Sequence, residues 1–309
     1  MKRLFVAIAT LGLAAAVATA QDFNAAVDAF NAGAQALETN KTEALAQFRA
    51  ALTEALACEG DEAADLVAKC KEIIPNTLLS IAKEQINDAL YDEALLTLNE
   101  AKSVAAEYNA TAAAEEAETL VPNVFLRKGS TLLKAKDFAN AASAFKEVTA
   151  MNPDNGQAFL LLGQALMQSG DANGAIEALT NAHEKGEGQA AKLLSTTYLK
   201  QGQALVKAGK NAEAIEALEK SNSYSENANA YKLIASAYTK SGKSAKAIEA
   251  YKKYLEVSPN AKDADDIIFT IAATAQKAGD KATAKEYYKK LSGSAKYAAQ
   301  AEAQLKTLN

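Results

Sequence analysis

Apolar residues recur at spacings of three and four along most of the chain, the periodicity of one face of an α-helix. The clearest instances are three near-identical segments: SGDANGAIEALTNA from Ser169, AGKNAEAIEALEKS from Ala208 and SGKSAKAIEAYKKY from Ser241. Each begins with a glycine turn and continues with Ala-Ile-Glu-Ala and then leucine or tyrosine. An aromatic-led stretch (FLLLGQAL, YLKQGQAL or YKLIASAY) precedes each one. The pattern predicts a repeated unit of helix, turn and helix.

Within this unit, a small residue stands four positions after the leading aromatic, where a bulky side chain would push two packed helices apart. Equivalent positions extend toward both ends of the chain and define seven helix pairs, separated by steps of 49, 47, 34, 39, 33 and 37 residues. The two long steps contain Pro75 and Pro122, which we expect to end or kink a helix. The small crossing residues are Gly33, Ala82, Gly129, Gly163, Gly202, Ala235 and Ala272.

These features resemble the tetratricopeptide repeat, a helical hairpin of about 34 residues with small residues at the crossing and a proline after the second helix. Pro153 and Pro259 stand at that proline position. The resemblance implies an all-α fold, a right-handed superhelical solenoid of antiparallel helix pairs closed by a C-terminal capping helix. We therefore expect an acidic N-terminal array with extended, proline-kinked units (residues 21–121), a regular array (122–291) and a capping helix (292–309).

The first twenty residues have the layout of a secretory signal peptide. Lys2 and Arg3 precede an apolar run, and Ala18-Thr19-Ala20 provides the small residues of a cleavage site. Gln21 follows the expected cut, so that position offers no cysteine for a lipid anchor. The apolar run is too short for a comfortable membrane span. We expect a periplasmic or secreted mature protein, with no integral membrane span after cleavage.

The chain contains two cysteines, Cys58 and Cys70. An even number in an exported protein favours a disulfide, and two reduced thiols in the core are the alternative. If a tight turn joins antiparallel helices between them, Cys70 lies about 10 Å farther from the turn than Cys58, at a rise of ~1.5 Å per residue. A bridge then requires the second helix to start late or to pack obliquely.

Charge is divided unevenly along the chain. Residues 21–121 carry 6 basic and 19 acidic side chains, a formal net charge of −13, whereas residues 122–309 carry 25 basic and 19 acidic, a net charge of +6. Such asymmetry can steer partners or favour contacts between copies, or it can reflect solvated helix faces. The basic half lacks an arginine-rich stripe with interleaved aromatics, so we expect no nucleic-acid binding.

Few residues suggest chemistry. The single histidine, His183, makes neither a metal site nor a catalytic triad by itself and fits a cation at a helix end. Gly242-Lys243-Ser244 lacks the earlier glycine of a phosphate-binding loop, because Ala237 stands there. We predict a protein that is not an enzyme and that has no catalytic residue, no metal site and no cofactor.

The resemblance also implies where a partner binds. The first helices of successive pairs line a concave groove, with groove-facing positions one and five residues after the leading aromatic. An apolar row flanked by amides and hydroxyls suits an extended or helical peptide, unless the leucines belong to the core. Only one position is basic, which argues against recognition of a terminal carboxylate. The predicted groove residues are Leu126, Ser130, Leu160, Gln164, Leu199, Gln203, Lys232, Ser236 and Phe269.

Two functional hypotheses follow. The first is a periplasmic scaffold that holds a protein or peptide ligand in this groove, in the context of cell-envelope assembly. The second is a structural envelope protein that self-associates, with the acidic half of one copy against the basic half of another.

Overall fold

The computed structural model describes residues 23–308, and this part of the chain forms fifteen α-helices and no strand. The predicted signal peptide, residues 1–20, lies outside the described residues. The helices are α1 (Phe23–Ala36), α2 (Lys41–Leu56), α3 (Asp61–Asn87), α4 (Tyr91–Glu107), α5 (Thr111–Lys134), α6 (Phe138–Met151), α7 (Gly156–Ser169), α8 (Ala172–Glu184), α9 (Ala190–Lys207), α10 (Asn211–Tyr224), α11 (Ala228–Lys240), α12 (Ser244–Val257), α13 (Ala264–Lys277), α14 (Lys281–Lys290) and α15 (Ala298–Leu308).

The chain divides into two compact units, Met1–Val124 and Phe125–Asn309, which we call the N-terminal and C-terminal units. The division falls inside α5, two residues after Pro122, and the sequence predicts a change of repeat type at residue 122. Among residues 23–308, no helix is both long enough and apolar enough to cross a bilayer.

Consecutive helices pack as antiparallel pairs, which confirms the predicted all-α repeat. The C-terminal unit stacks five pairs, from α5/α6 to α13/α14, and each helix contacts mainly its neighbours along the chain. The N-terminal unit contains the pairs α1/α2 and α3/α4. Helix α9, with 18 residues, is longer than the first helices on either side of it, α7 with 14 and α11 with 13.

Small residues stand where the paired helices cross, and all seven predicted crossing residues are buried. A Cβ atom added at Gly163 would lie 2.5 Å from Cγ of Leu179, and one added at Gly129 would lie 2.7 Å from Cε1 of Phe145. Such contacts are far inside van der Waals distance, so these helices approach each other as closely as they do only because no side chain is present.

Helix α15 closes the C-terminal unit as the sequence predicts. Ala301 and Leu308 are buried against the last pair, and Tyr297 and Leu305 pack at the edge of the same core. Lys306 and Glu302 face solvent and form an ion pair with a nitrogen–oxygen distance of 2.9 Å. The helix therefore presents a polar outer face at the end of the stack, as terminal units of repeat proteins do.

Neither Pro75 nor Pro122 ends a helix, in contrast to one of the two outcomes expected from the sequence. Pro75 lies inside the 27-residue α3 and Pro122 inside the 24-residue α5. In both, the next residue is an asparagine whose side-chain amide donates to a carbonyl one turn earlier: Asn76 to Glu72 at 2.9 Å and Asn123 to Thr119 at 3.5 Å. The carbonyl that loses its backbone donor lies four residues before each proline, at Lys71 or Glu118, so these side-chain bonds go to the next carbonyl along the chain.

Six of the seven turns within the pairs contain a residue with a left-handed backbone conformation two positions before the second helix. Gly209 (φ 75°) and Gly242 (φ 70°) occupy this position in two pairs of the C-terminal unit. Ala89 (φ 60°) occupies the same position between α3 and α4. An L-residue with a Cβ atom is strained there by roughly 1–2 kcal/mol, whereas glycine is not.

We expect Ala89→Gly to raise the free energy of unfolding of the N-terminal unit by about 0.5–1 kcal/mol, because relief of the strain exceeds the added entropy of the unfolded chain. The measurement is a urea titration in which unfolding is monitored by hydrogen exchange in α3 and α4. The matched change Ala68→Gly, at an exposed interior position of α3, should lower stability by about 1 kcal/mol. Equal signs for the two variants would contradict the strain argument.

Candidate functional site

The nine predicted groove residues lie on α5, α7, α9, α11 and α13 of the C-terminal unit, but they do not form a continuous exposed row. Leu160 is only 3% exposed and belongs to a core cluster with Leu179 and Leu194. Leu126 and Leu199 are half-buried, and Gln203 is exposed. For Leu160 the alternative assignment to the core is therefore the correct one, because neighbouring helices cover its side chain.

The side chain of Lys232 is engaged by neighbouring residues of the same protein. Its ammonium group forms an ion pair with Asp263 and lies 5.7 Å from the ring centroid of Tyr254. Lys232 and the Tyr254 hydroxyl, which donates to Asp263 at 2.5 Å, hold the pKa of that carboxyl below its usual range. The same hydrogen bond to Asp263 raises the pKa of Tyr254 to about 12. This network links α11, α12 and the loop before α13.

Phe269, the last predicted groove residue, is covered by the C-terminal segment. Its ring stacks on Tyr297 with a centroid distance of 4.6 Å and meets the edge of Tyr288 at 5.8 Å. Ser294, in the same segment, donates to Asp265 at 2.5 Å, and Lys296 pairs with Asp266 at 2.8 Å. The capping segment thus occupies the surface that a ligand would need at this pair.

Two grooves lie on the other side of the first helices, between successive second helices. The first, the α7 groove, has a volume of about 550 Å³, with Phe159, Leu162 and Leu166 on its floor and α6 and α8 as its walls. The second, the α11 groove, has a volume of about 790 Å³, with α10 and α12 as its walls. Its floor is Tyr231, Ile234 and Tyr238.

The two floors occupy the same repeat positions, 72 residues apart, which makes the grooves structurally equivalent. Leu162 and Leu166 each stand two residues after a predicted groove position of the same helix, a rotation of about 200° at 3.6 residues per turn. The grooves therefore open on the face opposite the predicted one. In the sequence, each groove floor corresponds to the leading aromatic residue of a repeat and the apolar residues three and seven positions after it. This pattern could have identified the grooves.

Both grooves combine an apolar floor with rims of mixed charge. The rim of the α7 groove carries Lys146 and Glu177, and that of the α11 groove carries Glu219, Lys246 and Glu249. Small side chains on the walls, such as Ala142 and Ala178, leave the space open. The arrangement offers apolar contact with polar and charged groups on either side.

The corresponding position on α9 is closed by aromatic packing. Tyr198 occupies the place of Phe159 and stacks on Tyr224, with parallel rings 6.0 Å apart. His183 meets Tyr224 edge-on at 5.7 Å, and Lys220 lies 5.7 Å from the Tyr198 ring. His183 therefore serves as part of an aromatic cluster at the end of α8.

Cys58 and Cys70 are both thiols in the structure. Cys58 lies just after α2, half-buried, with its Sγ 3.4 Å from the carbonyl of Glu54. Cys70 lies inside α3 and is completely buried in the core of the N-terminal unit. Burial raises the pKa of the Cys70 thiol to about 11. A bridge between the two remains a prediction from the sequence.

We expect a thiol reagent to modify Cys58 in the native protein and Cys70 only after denaturation, since the thiolate is the reactive form and Cys70 is both shielded and kept protonated. The measurement is mass spectrometry of modified peptides with and without denaturant. In Cys58→Ser, rapid modification should be lost. Two cysteines that resist modification in denaturant until a reductant is added would show a disulfide instead.

Comparison with known proteins identifies the family of the repeats. Residues 126–190 and 199–264 match the family model of the tetratricopeptide repeat. These matched segments are tetratricopeptide repeats, and both lie in the C-terminal unit. The family is one of protein–protein interaction scaffolds, generally without enzymatic activity.

Solved structures to which the chain is similar include crystal structures of MamA, of the C-terminal part of a tetratricopeptide-repeat protein from Cytophaga hutchinsonii, and of the tetratricopeptide-repeat protein YrrB. The first is 25% identical and covers 59% of this chain and 96% of its own, with a TM-score of 0.38. The second is 21% identical over 71% and 81%, with a TM-score of 0.38. YrrB, described as having an unusual peptide-binding site, is 17% identical over 60% and 86%, with a TM-score of 0.33. No curated protein matches the chain.

Proposed function

We propose that this protein is an exported scaffold that binds a helical segment of a partner protein in the α7 and α11 grooves. The observation that carries the proposal is the recurrence of the same groove at the same repeat positions. Volumes of about 550 and 790 Å³ fall within the range typical of ligand sites, roughly 300–1,000 Å³.

The chemistry of the grooves favours an amphipathic helix. Each groove runs between two parallel second helices, so a third helix laid along it would extend the helix packing of the repeat. Apolar side chains of the partner would contact Phe159 and Leu162, or Tyr231 and Ile234. Charged side chains of the partner would contact groove rims that carry both acidic and basic residues.

The export part of the proposal rests on the signal-like residues 1–20, and we propose a periplasmic setting with partners among cell-envelope proteins.

The first-helix face is the second candidate surface. Its accessible members include Gln164, Gln203 and the half-buried Leu199, while Lys232 and Phe269 are engaged by the protein's own side chains.

The test uses a displayed library of random peptides, selected on the full chain and then measured individually for affinity. In the groove variant, Ser143→Trp and Ser223→Trp each place an indole into one groove from an exposed wall position. The matched variant carries Gln164→Trp and Gln203→Trp on the first-helix face. The chain contains no tryptophan, so the introduced indoles also report ligand contact by fluorescence.

We expect selected peptides to share an amphipathic helical pattern and to bind the groove variant at least about tenfold more weakly, about 1.4 kcal/mol. The matched variant should bind within a factor of about two of the natural chain. The reverse ranking would assign binding to the first-helix face and refute the groove proposal. Selection of no peptide above background would also count against it.

A further inference from the structure

The positive charge of the C-terminal unit is concentrated along one edge. We define the turn edge as the last four residues of each first helix, the connecting turn and the first four residues of the second helix. It contains nine basic and four acidic side chains, a net charge of +5, whereas the whole unit has a net charge of +6. Its ranges are residues 131–141, 166–175, 204–214, 237–247 and 274–284.

The opposite edge has no such excess. The corresponding loop edge joins each second helix to the next element and contains six basic and eight acidic side chains, a net charge of −2. Its ranges are residues 148–159, 181–193, 221–231, 254–267 and 287–301. The C-terminal unit is therefore electrically polarised across the stack.

The fold brings the lysines of the turn edge together. Helices alternate in direction, and the first helices α7, α9 and α11 contact one another in series, so their C-terminal ends lie side by side. Packed helix axes are about 8–10 Å apart, which spaces neighbouring turns at a similar distance. Lysines of successive turns are exposed, among them Lys207, Lys210, Lys240, Lys243, Lys277 and Lys281.

The four acidic residues of this edge are engaged within the protein. Asp137, Asp171 and Asp280 are N-caps whose carboxylates accept hydrogen bonds from backbone N–H groups of their own helices. Glu213 pairs with Lys210 at 3.3 Å within one turn. The lysines thus dominate what a partner meets at the turn edge.

The N-terminal unit has the complementary charge. Residues 21–124 of this unit carry six basic and 19 acidic side chains, so carboxylates outnumber cations there by 13. Four of the six cations are already held by carboxylates of the same unit, through the pairs Lys41–Glu84, Arg49–Glu100, Lys83–Glu116 and Lys102–Glu118. The excess remains as an acidic surface.

We propose that the turn edge of one copy binds the acidic N-terminal unit of a second copy. Charges of opposite sign on separate surfaces steer association at low salt. Because the two surfaces differ, the contact is heterologous, and it generates rings or open chains rather than only a symmetric dimer. The turn edge adjoins the grooves, and its Lys246 stands on the rim of the α11 groove, but Lys210, Lys243 and Lys281 line neither groove. Changes at these three lysines therefore test self-association separately from partner binding in the grooves.

The first experiment measures the mass of the full chain by sedimentation and light scattering over a range of concentrations. At about 10 mM salt, where the Debye length is about 30 Å, we expect the mass to rise above that of the monomer with concentration. At about 1 M salt, where the Debye length is about 3 Å, we expect the monomer. A monomer at every concentration in low salt would overturn the proposal.

The second experiment reverses charge at the turn edge without opposing the fold. In the turn-edge variant Lys210, Lys243 and Lys281 are changed to glutamate; all three stand at the start of second helices, where an anion suits the helix dipole. The loop-edge variant, with the same change of net charge, replaces the exposed Lys192, Lys262 and Lys289 by glutamate.

We expect the turn-edge variant to be monomeric and the loop-edge variant to retain most of its self-association, with circular dichroism confirming that both are folded. Equal loss in the two variants would show that only net charge matters and would refute a turn-edge contact.

Mixing distinguishes a heterologous contact from a symmetric one. The turn-edge variant keeps its acidic unit, so it should add to the turn edge of the natural chain and end further growth. Labelled variant should then co-sediment with natural chains and lower their average mass. If labelled variant stays monomeric in the mixture, the proposed contact between unlike surfaces is refuted.

Discussion

Replacing Gly163 by valine should lower the stability of the C-terminal unit by about 3 kcal/mol, one of the largest effects we expect from a single change. A Cβ atom at this position would lie 2.5 Å from Cγ and 2.7 Å from Cδ2 of Leu179. Leu179 is completely buried, in a core cluster with Leu160 and Leu194. The helices α7 and α8 must therefore separate, and the cores on both sides of them loosen.

Local hydrogen exchange in α7 and α8 is the appropriate measurement, because a two-unit chain does not unfold in one step. A double-mutant cycle identifies the clash as the cause. Leu179→Ala alone should cost about 2–5 kcal/mol, and Gly163→Val combined with Leu179→Ala should cost at least about 1 kcal/mol less than the sum. Additive losses would refute the clash.

A matched control is available at Gly188. A Cβ atom there would have no neighbour within 4 Å. Gly188→Val should therefore change stability by no more than about 0.5 kcal/mol. A loss at Gly188 comparable with that at Gly163 would show that the β-branched side chain, and not helix crossing, is responsible.

The second large effect should come from a buried pair of serines between α9 and α10. Ser195 Oγ donates to the carbonyl of Ser225 at 3.1 Å and lies 3.2 Å from Ser221 Oγ, while Ser221 donates to the carbonyl of Ser195 at 2.8 Å. Ser195 is 5% exposed and Ser221 is fully buried. Removing either hydroxyl leaves a buried polar group without its bond, which typically costs about 1–3 kcal/mol.

We expect Ser195→Ala to destabilise the C-terminal unit by about 2 kcal/mol, and Ser221→Ala by a similar amount. The double variant should cost less than the sum, since both hydroxyls belong to one hydrogen-bond network that joins α9 to α10. The matched change Ser223→Ala, at an exposed position of α10, should stay within about 0.5 kcal/mol. Hydrogen exchange in α9 and α10 of the natural chain and the four variants provides the comparison, and an equal loss at Ser223 would contradict the role of burial.

The pairing of helices was predictable because it depends on local rules. Gly163 and Gly202 stand at fixed distances from an aromatic residue and from the next turn, and close helix crossing tolerates little else. The closing role of α15 was also predictable, since its apolar residues follow a helical period at the end of the repeat. For the same reason the two long units of the N-terminal array were visible as extra helical sequence.

The surface was harder to predict, because burial depends on neighbours that are distant in sequence. Leu160 and Leu199 occupy the same repeat position, yet only Leu160 is enclosed, by Leu194 of the lengthened α9 among others. Phe269 is covered because the capping segment folds back to place Tyr297 on it. The continuity of α3 through Pro75 was likewise not predictable, because helix-breaking rules allow a proline either to end a helix or to kink it.

The neighbour-only packing of the C-terminal unit has a mechanical consequence. A stretching force applied to the two ends of such a stack acts on the helix pairs in series. Each pair contacts only the one or two helices on either side of it. Under tension we therefore expect pairs to unravel one at a time, each releasing about 100 Å of chain for about 34 residues. A stretched molecule would lengthen in steps and keep its remaining grooves intact, and a saw-tooth force trace would record those steps.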